Sequence, residues 1–379
     1  MKPLKLGMVG GGQGAFIGGV HRIAARLDGE WELVAGALSS DPARAKASAA
    51  ELGIADARAY TSFEDMAQAE AARADGIDAA AIVTPNHMHA APAVAFLRAG
   101  IHVICDKPLA ATREQADAIA KAQRETGKLF ILTHNYTGYP LIRQAREMVQ
   151  RGDLGDIRVV HVEYVQDWLT EAPDPDNKQA DWRTDPARSG AGGCIGDIGT
   201  HAFNLASFVT GLKTESVAAD LDAFVPGRRV DDNVHVMLRF AGGAKGMLWA
   251  SQVAVGNENA LSLRVHGTKG GIAWAQENPN VMTFTPLGEP KQILTRGGAG
   301  ATDAGLRVTR TPGGHPEGYL EGFATLYSEA AALVRHVRDG TALPVGHHVP
   351  GIDDGLDGMR FISASIASSA ANGVWTPLV

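Results

Sequence analysis

Over its first 133 residues the chain alternates five short apolar runs with five amphipathic stretches, a rhythm that few architectures satisfy. Leu4 to Val9, Glu32 to Leu38, Ala79 to Val83, Ile101 to Cys105 and Leu129 to Thr133 have the length and apolar texture of strands covered on both faces. Between them, Ala15 to Leu27, Ala43 to Leu52, Phe63 to Ala74, Ala91 to Ala99 and Arg113 to Thr126 read as helices. Strands separated by helices pair in parallel, so an α/β, doubly wound parallel sheet is expected over residues 1–133. Ligands of such sheets bind beyond the carboxyl ends of the strands, which makes the strand tips the place to look for chemistry.

The first tip is Gly10-Gly11-Gly12-Gln13-Gly14, between a strand and a helix, as a dinucleotide fingerprint requires. Glycine lets the backbone approach a pyrophosphate, and the helix start offers it free N–H groups. Gly10 and Gly12 match the first two fingerprint glycines, and the third falls on Ala15 or, with a short insertion, on Gly18. The second tip reads Ser39-Ser40-Asp41 with Arg44 nearby, where a NAD enzyme usually offers an acid to the ribose. Ser39, Ser40 and Arg44 suit a 2′-phosphate, so between NAD and NADP the reading leans to NADP, although Asp41-Pro42 equally suits a helix cap. The third tip, Thr84-Pro85-Asn86-His87-Met88-His89, gives Asn86 as a partner for a ribose or substrate hydroxyl. No further ligands of zinc spacing follow the His87 and His89 pair, so no metal is expected. The fourth tip is Asp106-Lys107-Pro108, where the proline keeps Lys107 out of helical geometry and presents its ammonium at the ligand edge.

From His134 the texture changes, and residues 134–379 are expected to form a second, α+β domain. A helix over Tyr139 to Arg151 and a strand over Ile157 to Val165 precede a Pro- and Asp-rich excursion, Pro173 to Ser189, that holds Trp182 and Arg183. Cys194-Ile195-Gly196-Asp197-Ile198-Gly199-Thr200-His201 leads into a helix, and strand follows strand to about Pro286, which predicts an open, mainly antiparallel sheet. Loop Arg296 to Gly314 reads as glycine-rich and mobile, and helices Glu317 to Asp339 and Ile352 to Asn372 are expected to cover the sheet's inner face. A length of 379 residues suits two domains, and a net charge of −7 excludes a basic field for nucleic acid or an anionic membrane. Cys105 and Cys194 give no disulfide framework, and neither a secretory signal nor a membrane span is read, so a cytoplasmic protein is expected.

In this order, the glycine loop, Thr84-Pro85-Asn86 with His89, Asp106-Lys107-Pro108, Trp182-Arg183 and Gly196-Asp197 with His201 resemble the Gfo/Idh/MocA family of sugar and inositol oxidoreductases. Two departures stand out: the family usually has Glu where Asp106 stands, and the acid after the second strand is missing. The resemblance implies a Rossmann-type first domain whose Gly10, Gly12, Ser39, Thr84, Asn86 and Lys107 line the coenzyme, with Gln13, Ser40, Arg44, Pro85, His89 and Asp106 among the cofactor-binding candidates. It implies that Asp197 and His201 reach the nicotinamide from the second domain, and a homodimer or homotetramer.

Removing hydride from a secondary alcohol needs a base for the hydroxyl proton, and histidine is suited to that at neutral pH. Lys107, Asp197 and His201 are therefore the catalytic candidates, with Lys107 or His201 as the proton acceptor. Trp182, Arg183 and His315 are further substrate candidates. The expected activity is NAD(P)-dependent oxidation or reduction of a cyclic polyol or sugar. A glycoside hydrolase or lyase using transient oxidation and a non-catalytic ligand sensor are the competing readings.

Overall fold

The computed structural model describes residues 2–172 and 177–379, so Pro173 to Asp176 of the expected excursion lie outside the described residues. The chain divides into two units, Met1–Asn135 with Tyr319–Leu356, and Tyr136–Gly318 with Asp357–Val379.

The first unit opens with β1 (Leu4–Gly10), α1 (Phe16–Leu27), β2 (Trp31–Ala37), α2 (Pro42–Glu51), α3 (Phe63–Ala72), β3 (Ala79–Val83), α4 (Ala90–Arg98), β4 (His102–Cys105), α5 (Arg113–Thr126) and β5 (Phe130–Leu132). Its five strands are all parallel, in the order β2-β1-β3-β4-β5. The order reverses between β1 and β3, which makes the crevice beyond Gly10 and Val83 the switch point where ligands of such sheets bind. The expected Rossmann-type sheet is thus present, with strand bounds within a residue or two of those read from the sequence.

The second unit contains α6 (Pro140–Arg151), β6 (Ile157–Val165), the short helices α7 (Lys178–Arg183) and α8 (Pro186–Ser189), a π-helical turn at Ile195–Gly199, and α9 (Thr200–Thr210). Strands β7 (Thr214–Asp222), β8 (Asn233–Phe240), β9 (Lys245–Ser251), β10 (Ala260–Gly267), β11 (Gly270–Ala275), β12 (Val281–Pro286) and β13 (Gln292–Thr295) and the helix α10 (Asp303–Arg307) follow. Helices α11 (Tyr319–Asp339) and α12 (Ile352–Ala370) and the edge strand β14 (Thr376–Pro377) end the chain. The nine strands run β13-β12-β11-β10-β6-β9-β8-β7-β14, antiparallel except for the parallel pair β6 and β9. Alternation along β8 buries Val234, Val236, Leu238 and Phe240 and leaves the intervening side chains outside, the signature of a sheet with one covered face. Helix α9 packs on β6, and Phe203 of α9 stacks on Phe361 of α12 with ring centroids 4.3 Å apart.

Two expectations are corrected. The helix read over Glu317 to Asp339 does not cover the second sheet: α11 belongs to the first unit, where Phe323, Ala324, Tyr327 and Ala330 join Leu6, Met8, Val20 and Trp31 in one core. The first unit is therefore built from residues 1–135 and 319–356, not from 1–133 alone, and the second is not the continuous 134–379. The stretch Arg296 to Gly314 is also more ordered than its glycines suggest. It carries α10, and Arg296, 3% exposed, bonds Asn280, Thr311, Pro312 and Glu317. Among the described residues no helix is long and apolar enough to cross a membrane.

Candidate active site

In the first unit the glycine loop leaves β1 through left-handed backbone, with φ of +78° at Gly10 and +73° at Gly11. A Cβ at Gly12 would stand 2.7 Å from the Leu38 carbonyl oxygen, and one at Gly18 only 2.4 Å from the Gly11 Cα. The close-packing role of the third fingerprint glycine thus falls on Gly18, in the first turn of α1, and not on Ala15. Arg22 Nη1 donates to the Gly11 carbonyl at 2.6 Å and Gln13 N–H to Ser48 Oγ at 3.1 Å, which braces the loop from α1 and α2. These residues wall a groove of about 350 Å³. A side-chain-free cradle at a helix start, without an acid in the first turn of α1, fits the pyrophosphate of a nicotinamide dinucleotide.

At the second tip Asp41 Oδ1 accepts the Arg44 N–H at 2.7 Å and caps α2, while Ser39 Oγ accepts the Asp41 N–H at 3.1 Å. The first acid after the second tip is thereby used as a cap, and the Ser40 and Arg44 side chains are exposed. At the third tip Thr84 Oγ1 donates to the Met88 carbonyl at 3.0 Å, and Pro85 leads into a short turn with Asn86 buried.

His89 closes the same tip. It is buried, with Nδ1 2.9 Å from the Pro108 carbonyl oxygen and Nε2 2.9 Å from that of Thr84. Burial holds its pKa below the ordinary histidine value, although Asp106 and the carbonyls pull the other way. Its work is to tie the tip of β3 to the Lys107-Pro108 turn, whose peptide bond is cis.

Asp106 also turns inward. It accepts the Lys107 N–H and the Thr133 hydroxyl, each at 3.0 Å, and stands 3.8 Å from His21 Nε2. Burial alone would raise its carboxyl, but His21, Lys107 and His89 hold it well below the usual range. His21 Nδ1 in turn lies 2.8 Å from Tyr327 Oη of α11. Sequence reading missed this chain of groups. One signal was available, because His21 falls on the face of α1 marked out by Ile17, Val20 and Ala24. Burial and the Lys107 charge push the neighbouring His134 down to about 3, so it stays neutral beside Lys107.

In the second unit Asp197 lies in the π-helical turn that runs into α9, and His201 follows four residues later. Such turns recur at functional sites because they re-aim side chains out of helical register. Asp197 does not cap the helix. Its Oδ2 accepts Gln252 Nε2 at 2.9 Å and Arg183 Nε at 3.2 Å. Arg183 therefore pairs with Asp197, and its guanidinium lies 4.3 Å from the Trp182 ring. His201 is 8% exposed, its ring edge-on to Tyr136 at 4.9 Å, and Tyr136 Oη meets Tyr164 Oη at 2.6 Å. The loop entering the turn is gripped by Asp231, which accepts the Gly193 and Ile195 N–H groups at 2.8 and 2.7 Å. Burial raises the Asp231 carboxyl to about 6 against those bonds. Asp231, Gln252, Tyr136 and Tyr164 were not singled out in the sequence. His315 sits on an exposed loop with Nδ1 3.3 Å from the Pro312 carbonyl oxygen.

Residues 4–145 match the model of an oxidoreductase family with an NAD-binding Rossmann fold, and residues 142–273 match that of the GFO/IDH/MocA C-terminal domain. The chain belongs to the Gfo/Idh/MocA family. Within that family it is similar over 99% of both chains to an oxidoreductase from Sinorhizobium meliloti, at 56% identity and a TM-score of 0.91. An inositol dehydrogenase homolog from Azotobacter vinelandii, solved with NADH and myo-inositol, is 34% identical with a TM-score of 0.92, covering 99% of this chain and 98% of that one. Levoglucosan dehydrogenase of Pseudarthrobacter phenanthrenivorans is 29% identical over 99% of this chain and 98% of its own. As a Gfo/Idh/MocA protein the chain is an NAD-binding dehydrogenase of the class whose relatives act on sugars and inositols.

Proposed function

We propose that this enzyme moves a hydride between a nicotinamide dinucleotide and a secondary alcohol of a cyclic polyol or sugar, with Lys107, Asp197 and His201 serving the reaction. The reading is carried by whole-length similarity to the Azotobacter vinelandii protein solved with NADH and myo-inositol, together with the presence of all three side chains here. The coenzyme supplies the hydride acceptor or donor, and Gly10, Gly12, Thr84 and Asn86 are the residues proposed to hold it. His201 takes the hydroxyl proton as the alcohol is oxidised and returns it in reduction. Lys107 favours negative charge on the reacting oxygen. Asp197, already fixed by Gln252 and Arg183, holds the substrate or the imidazole in place.

Ser39, Ser40 and the exposed Arg44 at the second tip suit a 2′-phosphate, so NADP is accepted as well as NAD. The assembly is a homodimer or homotetramer through the outer face of the second sheet, where Met237 and Met247 are each 52% exposed on adjacent strands.

The test is NAD(P)H absorbance on a polyol and sugar panel, for the wild type and for Lys107→Met and His201→Asn. Loss of roughly 10²- to 10⁴-fold in kcat/KM is expected for His201→Asn, with nucleotide binding by fluorescence retained. Unchanged turnover in both variants would remove the proposed roles. For Arg44→Ala, kcat/KM should fall more with NADP than with NAD.

A further inference from the structure

One end of the second sheet carries a row of carboxamides. Val165 of β6 pairs with Ser251 of β9 and Ala260 of β10, and Ser262 of β10 pairs with Ala275 of β11, which is followed by β12. The residues just beyond these strand ends are Gln252, Gln166, Asn259, Gln276 and Asn280. Three of them are linked, Gln166 Nε2 donating to Asn259 Oδ1 at 2.7 Å and Asn259 Nδ2 to Gln276 Oε1 at 3.0 Å, while Gln252 donates to Asp197 and Asn280 Oδ1 accepts the Glu317 N–H at 3.1 Å. Tyr164 Oη also donates to Asn259 Oδ1, at 2.8 Å, so the row is joined through Tyr136 to the ring of His201. From β9 to β12 it crosses four strand spacings, about 19 Å at the usual interval, which is longer than any one six-membered ring.

The far part of the row opens into a groove of about 950 Å³, among whose lining residues are Asn257, Asn259, Gln276, Asn278 and Glu317. That is near the upper end of the roughly 300–1,000 Å³ of small-molecule clefts. Among the described residues no lysine or arginine lines it, while Glu258 and Glu277 do and Glu317 is paired with Arg296, a balance that disfavours phosphorylated or carboxylated ligands. Carboxamides and carboxylates fixed by their own hydrogen bonds match vicinal hydroxyls, which both donate and accept. The wall is rigid: Glu317 Oε1 accepts from buried Arg296, at 3.0 Å, and from the Arg310 and Thr311 N–H groups.

We propose that this groove is a subsite for a second, uncharged polyhydroxylated ring, so that the preferred substrate is a glycoside or disaccharide oxidised on the ring nearer His201. The inference rests on the reading of the protein as a polyol or sugar dehydrogenase. The full-length enzyme is assayed with maltose, trehalose, lactose and galactinol against glucose, galactose and myo-inositol. Asn257→Ala removes a groove amide, and Asn278→Trp fills the groove from an exposed position. At least one two-ring compound should be used more efficiently than its single-ring components, and the two-ring to one-ring ratio of kcat/KM should drop at least tenfold in both variants. Single-ring substrates used as well or better, with a ratio unmoved by either variant, would overturn the proposal. Saturation-transfer NMR with the same sugars needs no turnover and separates the two readings. Two-ring binding that Asn278→Trp abolishes upholds the groove even if no hydride moves, whereas no two-ring binding to the wild type overturns it.

Discussion

His102 accepts the Leu129 N–H on Nδ1 at 3.0 Å, a bond that only an unprotonated nitrogen can make. Burial, helped by the Lys128 charge, lowers it to about 4 from an ordinary 6.5. The unfolded chain takes up this proton below pH 6.5 and the folded chain only near 4, so stability from His102 is present above 6.5 and is lost as the pH falls between those values. His102→Asn keeps an acceptor without a titrating group. Its melting temperature should therefore fall less than that of the wild type across this window, which calorimetry at several pH values checks. Tyr327→Phe leaves buried His21 Nδ1 without its 2.8 Å partner and should cost about 1–3 kcal/mol in a urea titration. Single residues were also where sequence reading was weakest. Lys107 lies in a strand-end turn that its proline marks in the sequence, whereas nothing local marks the bond of Asp106 to Thr133 or the contacts of His89, on the preceding tip, with the Thr84 and Pro108 carbonyls. Which way a strand-tip side chain turns depends on partners such as Thr133, 27 residues away, and no local pattern reports them.

Among the elements, α1 shows how little room the nucleotide loop leaves. Gly18 and Gly19 are neighbours in one helix, but a Cβ at Gly18 would collide with the Gly11 backbone, and one at Gly19 would meet nothing nearer than the tip of Arg22 at 3.9 Å. Gly18→Ala should therefore destabilise by about 1–3 kcal/mol through overpacking and weaken nucleotide binding. Gly19→Ala should stabilise by about 0.4–1 kcal/mol by narrowing the unfolded ensemble. Paired thermal melts and nucleotide titrations would show opposite signs. Strands and helices of the first sheet were legible because apolar periodicity is local: Ala79–Val83 and Arg113–Thr126 match the expected bounds to the residue. Elements that depend on distant partners were not. Gln292–Thr295 and Thr376–Pro377 are strands because β12 and β7 offer them an edge, and their own sequences lack the alternating apolar signal.

For the whole molecule, the outer face of the nine-stranded sheet sets the expected assembly. Met237 pairs with Met247 across β8 and β9, and stacked His235 and Trp249 lie beside them. Lysines at both methionines should shift the protein to a smaller species in sedimentation velocity, with the far-UV spectrum unchanged. The two-domain organisation was readable from the switch in texture near His134, but the route of the chain was not, since α11 carries no mark of the sheet on which it settles. That route governs how such proteins can be recombined. The nucleotide-binding half is assembled from two lengths of polypeptide separated by 183 residues, Tyr136 to Gly318. A chimera that borrows only the amino-terminal length from a relative sets foreign residues against α11 in place of His21, which meets the Tyr327 hydroxyl at 2.8 Å, and of Trp31, whose Nε1 donates to the Tyr327 carbonyl at 2.8 Å. Exchange of coenzyme specificity by swapping halves, in the laboratory or over evolutionary time, has to carry residues 319–356 along with the first 135.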